Sequence, residues 1–165
     1  MEIKIKRNVE GRDRRMKNEK IVRATKLILD FMFYSEIVVV VTLPWTLKLA
    51  GRYYEAVILE QYVPMLLTLA VSGIFGILIV GQLRKMMRTV VNGSCFVYAN
   101  VKSLRLMTGF SLCISAVFLV EMFFVPTIVT VVIVVIFFVA ALFSQVLSQV
   151  FDEAVRYKEE NDLTI

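Results

Sequence analysis

Glu36 makes the heaviest chemical demand of any residue in this sequence, because it stands between Phe31–Phe33 and Val38–Val41 with no Lys or Arg at its depth. An ionised carboxylate in hydrocarbon costs several kcal/mol, so this one must be protonated, face other protein groups, or hold a cation. Asp30 and Tyr34 lie one helical turn apart on another face, where water or Lys26 can reach Asp30. Glu60 and Glu121 fall towards the opposite surface, where they contact headgroups or water, or frame a vestibule. A proton or cation path is one use of such acids. The structural alternative is a protonated Glu36 that hydrogen-bonds Ser72, Ser111 or Ser115 on neighbouring helices and holds them together.

Other chemistries find no residues to carry them. The sequence has no His, which removes imidazole metal sites, Ser/His/Asp and Cys/His pairs and haem ligation by imidazole. Gly73, Gly76 and Gly81 are not followed by the Lys and Ser or Thr of a phosphate loop. Acids with metal-ligand spacing are missing from the apolar stretches. The expectation is a protein that is not an enzyme and uses no cofactor and no metal. Cys95 and Cys113 are expected to be reduced and unpaired, at depths too different for a disulfide.

The elements that position these groups follow from composition. Of 165 residues, 58% are hydrophobic and 20% charged, with mean hydropathy +0.73, too apolar for one soluble core of ordinary proportions. A helix needs about 20 apolar residues to cross a hydrocarbon layer about 30 Å thick. Four stretches qualify, at 27–49, 62–82, 104–124 and 126–147. Glu121 and Pro126 break the last two into a tight hairpin. Ile128 to Ile136 are all β-branched, which in water would suggest a strand, but an open strand leaves backbone groups unsatisfied in lipid and a helix does not. The expected fold class is all-α: an integral membrane four-helix bundle. Ser72 and Gly76, with Gly109, Ser111, Cys113 and Ser115, point to spans two and three as the closest packing pair. Pro44 and Pro64 are positioned to kink spans one and two.

Charge sets the orientation. Residues 1–26 carry ten basic side chains against four acidic ones, and the loop between spans two and three has Arg84, Lys85, Arg88, Lys102 and Arg105 with no acid. The opposite loops offer only Lys48 and Arg52. Short loops rich in Lys and Arg resist translocation, so both termini are expected in the cytoplasm of a bacterial inner membrane protein. Trp45, Tyr53, Tyr54 and Tyr62 fit the outer interface. The 1–26 segment lacks interleaved aromatics, so no direct nucleic-acid contact is expected. Residues 148–165 form an acidic helical tail, with Val150, Phe151, Ala154 and Val155 on one side, i,i+4 pairs Asp152–Arg156 and Arg156–Glu160, and a stop at Asn161.

Two stretches, GSCFVYANVKSLRLMTGF at 93–110 and LSQVFDEAVRYKEENDLTI at the end, resemble a family of small four-span bacterial membrane proteins catalogued as a domain of unknown function. The matching residues are Gly93, Phe96, Asn100, Val101, Leu104, Arg105 and Gly109, then Asn161, Asp162, Leu163, Thr164 and Ile165. The likeness extends over about residues 20–165, with Cys95 where a Pro is common and Ala99 where an acid is common. The resemblance implies no assigned activity, and frequent encoding beside a Cro/CI-type helix-turn-helix regulator. Asn100 is placed to cap the third span or bridge to a neighbouring backbone, and Arg105 to reach Asp152, Glu153 or Asp162.

Three functions fit this inventory. The first is a regulatory or sensor protein that contacts lipid and a cytoplasmic partner. The second is a small proton, cation or solute transporter, as a homo-oligomer, working through Glu36. The third is immunity against a membrane-active peptide.

Overall fold

The computed structural model describes residues 2–53, 62–92, 95–124 and 126–162, with side chains from Lys20 onwards except those of Tyr53 and Asp162. Glu60, Gly93, Leu163, Thr164, Ile165, Tyr54 and the side chains of Tyr53 and Asp162, all singled out above, lie outside this description. Four helices account for almost all of the described chain: α1 (Glu2–Tyr53), α2 (Tyr62–Val91), α3 (Tyr98–Glu121) and α4 (Ile128–Asp162). Each contains a stretch long and apolar enough to cross a membrane.

The helices overrun the expected spans because charged residues with good helix propensity extend them into water. Helix α1 continues without a break through the basic segment, and its 52 residues make a rod of about 78 Å, well over twice the hydrocarbon thickness. Helix α2 carries on past Gln82 through Arg84, Lys85 and Arg88. The β-branched run begins α4 as helix. Thr127 caps it, its Oγ1 accepting from the Thr130 amide at 3.2 Å. The turn before it closes with Phe124 N–H donating to Glu121 O at 2.8 Å, which makes the expected hairpin.

Pro64 does not kink α2. It sits in the first turn, where a helical amide has no intrahelical acceptor to lose. Pro44 lies inside α1.

Among the described residues, each helix touches only its neighbours in the chain: α1 with α2, α2 with α3, α3 with α4. Helix α3 is the most enclosed. Its buried residues Asn100, Leu104, Met107, Ser111, Ile114, Phe118 and Glu121 repeat at alternating steps of three and four. On α4 the buried Thr130, Ala141, Ser144, Ser148 and Val155 fall on the same spacing, which is the seam of an antiparallel coiled coil. Small residues let these two backbones approach, and Ser115 Oγ donates across the seam to Val134 O at 3.2 Å.

This corrects the expected packing of Gly76. Together with Gly73, it faces α1, not α3, while a Cβ on Gly109 would meet nothing within 4 Å. Helix α2 does reach α3, through Phe75 and Phe110 with ring centroids 5.9 Å apart. The lipid-facing residues of α1, among them Leu27, Phe31, Val38, Val41 and Trp45, are exposed, as helices solvated by lipid require.

Candidate functional site

Polar contacts between helices gather at one end of the molecule, where α2 leaves its apolar stretch, α3 begins and α4 emerges. The α1–α2 seam supplies the first. Arg84 Nε donates to Asp30 Oδ1 at 2.6 Å, and the guanidinium lies over the Phe33 ring, 4.4 Å from its centroid, and 5.4 Å from that of Tyr34. Expectation had given Asp30 water or Lys26. The antiparallel hairpin instead brings Arg84 down to it, and the flat guanidinium can pair with a carboxylate while stacking on aromatic faces.

One and a half turns deeper, the half-buried Glu36 side chain fills the hollow opposite Gly76, in the space a Cβ there would need. Val40 fills the hollow at Gly73 in the same way. None of the three serines offered as partners for Glu36 bonds to it. Ser72 Oγ donates to Thr68 O at 2.6 Å, Ser115 bonds across to α4, and Ser111 is buried on α3. Among the described residues the Glu36 carboxylate makes no hydrogen bond.

At the α2–α3 junction, Asn100 is only 1% exposed. Its Nδ2 donates to Cys95 O at 2.7 Å and its Oδ1 accepts from Thr89 Oγ1 at 2.9 Å. The single Thr89 proton is shared with Met86 O at 2.7 Å. Asn100 thus bridges α2, the loop and α3. It does not cap α3, whose N-cap is Val97, without a side-chain bond.

The α4 extension is tied to the same place. Arg105 Nη2 reaches Asp152 Oδ2 at 3.2 Å, one of the three acids within its expected range. Phe96 of the loop packs on Phe151 with centroids 5.5 Å apart, and Val155 is buried. Asp152 therefore pairs with α3 rather than with Arg156 of its own helix, and Val150 stays exposed. Beyond these ties, Glu153, Arg156, Tyr157 and Glu160 line a shallow cavity of about 260 Å³.

Glu121 differs from expectation. It is buried, at 7% exposure, and does not reach out to headgroups or water. The reason is its register: it ends the three-and-four stripe of α3, level with the buried Thr130 that begins the α4 stripe. At that opposite end Trp45 is exposed, Tyr62 Oη donates to Pro44 O at 3.3 Å, and Lys48 Nζ sits 5.7 Å from the Tyr62 ring centroid. Cys95 and Cys113 are both free. Among the described residues, no group of three or more Cys, Asp or Glu residues could hold a metal ion.

The family model described as "Protein of unknown function (DUF2975)" matches residues 54–165. The chain belongs to this family. The DUF2975 region takes in α2, α3 and α4, so Asn100, Arg105, Asp152 and Phe96 are inside it, and α1 with Asp30 and Glu36 is outside. The match begins later than the likeness over residues 20–165 had suggested. No curated protein and no solved structure matches the chain.

Proposed function

We propose that this multi-pass membrane protein is a non-enzymatic regulator or sensor of the bacterial cytoplasmic membrane, whose basic end faces the cytoplasm and docks a soluble regulatory protein. A helix-turn-helix regulator of the Cro/CI type is the partner to test first. One observation carries this reading. Residues 95–97, α3 and the α4 extension, which come from distant parts of the sequence, are bound into one surface by Asn100, Phe96–Phe151 and Arg105–Asp152. Such ties hold side chains in a fixed pattern beyond the membrane, as recognition by a partner needs.

Transport through Glu36 has less support. Helix α1 touches only α2 among the described residues, which leaves Glu36 on a two-helix seam rather than inside a ring of helices.

Detergent-solubilised full chain, immobilised through its N-terminus, should retain a purified Cro/CI-type helix-turn-helix regulator, and removal of residues 148–165 should abolish retention. Tyr157→Ala, which leaves the three ties in place, should weaken it about tenfold, the loss of about 1.4 kcal/mol from one interfacial aromatic. Equal retention by the truncated chain would contradict the docking reading.

A further inference from the structure

We propose that the basic end of the α1–α2 seam binds one anionic phospholipid, its phosphate held by Lys26 and Arg88 and one acyl chain lying along α1. Three contacts fix the antiparallel register of this seam: Asp30 with Arg84, Glu36 at Gly76, and Val40 at Gly73. Lys26 is four residues before Asp30, and Arg88 four after Arg84. Each therefore sits on the same face as its neighbour in the ion pair, one turn or about 6 Å further out.

Two cations are thus brought to the same level at the mouth of the seam, with Lys85 on the flank, and all three are exposed. Among the described residues none of the three makes an ion pair. The nearby acid, Asp30, is already committed to Arg84. Like charges at a helix crossing repel, so this pairing favours an anion between them.

The level of these cations selects the kind of anion. Lys26 directly precedes Leu27, where the apolar stretch of α1 begins, and Lys85 and Arg88 follow Gln82, where that of α2 ends. That is headgroup depth. Beside the Lys26–Asp30 ridge runs a second ridge of Leu27, Phe31 and Val38, exposed by 71%, 71% and 60% and reaching into the span. A free phosphate would use the cations but leave this track bare, and an acidic protein would stop at the headgroups. A phosphate joined to an acyl chain satisfies both. The site lies on the opposite side of α2 from its α3 contact and stands independently of the docking reading.

The test uses the full chain in phosphatidylcholine nanodiscs with phosphatidylglycerol titrated in, and native mass spectrometry to count the lipid retained after release. One phosphatidylglycerol per chain should be kept in preference to phosphatidylcholine. Lys26→Ala with Arg88→Ala should weaken its retention about 30-fold, as two juxtamembrane cations at about 1 kcal/mol each would give. Lys48→Ala with Arg52→Ala, at the other end, should change it less than about twofold, and Lys26→Arg with Arg88→Lys should keep it. Equal losses in the two alanine variants would reduce the effect to diffuse charge and overturn the site. Displacement by inorganic phosphate alone, displacement by an acidic peptide, or no preference of the unaltered chain for phosphatidylglycerol would overturn it as well, and the last result needs no variant to fold.

Discussion

Asn100→Ala should lower the unfolding free energy of the four-helix domain by about 2–4 kcal/mol, the largest loss expected of any single truncation at the basic end. The side chain is almost wholly enclosed, and it is the donor for Cys95 O, a loop carbonyl with no helical partner. Truncation orphans that carbonyl and opens a cavity at the point where α2, the loop and α3 meet. Thr89 suffers less, because its hydroxyl keeps Met86 O. Asn100→Asp should be at least as damaging, since a carboxylate has no proton to offer Cys95 O and adds a charge without a counter-ion. Reversible unfolding in mixed micelles, followed by circular dichroism, measures both. A loss below about 0.5 kcal/mol in either variant would remove Asn100 from the centre of the junction.

Gly73→Ala should release α1. A Cβ there would fall 2.5 Å from Val40 Cγ2, and a valine on a helix has almost one χ1 rotamer to adopt, so the backbones must part at a cost of about 1–3 kcal/mol. Because α1 touches only α2 among the described residues, nothing else restrains it. Gly109→Ala should have the opposite sign, raising stability by up to about 1 kcal/mol through helix propensity, since a new methyl there meets nothing within 4 Å. Gly76→Ala should fall between them, because the obstacle is the far end of the flexible Glu36 side chain. The same unfolding measurement, paired with disulfide cross-linking of cysteines placed at 37 and 77, reads stability and α1 contact together. Identical behaviour of the Gly73 and Gly109 variants would refute the close approach of α1 to α2.

The four helices were legible because lipid permits few forms: a stretch of about 20 apolar residues has to be a helix, whatever its β-branched content. Glu121 and Pro126 marked the hairpin, and Arg105 could be matched to Asp152 by charge and by their common end of the bundle. What escaped was register between helices. Asp30 and Arg84 each stand just inside or just outside the end of an apolar stretch, and folding α1 and α2 into a hairpin places them side by side. That arithmetic was available, but hydropathy alone does not perform it. Gly76 was assigned to the wrong neighbour for a related reason: a small residue announces a close approach without naming who approaches. The burial of Glu121 was readable from the three-and-four spacing that starts at Asn100, yet its position near a span end suggested the surface instead. Asn100 as a bridge, with Thr89 and Cys95 as its partners, depended on a loop conformation that no periodicity encodes.

The docking reading requires residues 95–97 and the α4 extension to share the cytoplasmic side. Thiol labelling decides this most directly. In a Cys113→Ala background, the natural Cys95, and separately a cysteine replacing the exposed Lys158 in a chain that also carries Cys95→Ser, are treated with a membrane-impermeant maleimide in intact cells and in inverted membrane vesicles. Both positions should react only in the inverted vesicles; reaction of either one in intact cells would place the clamped end outside and contradict the account.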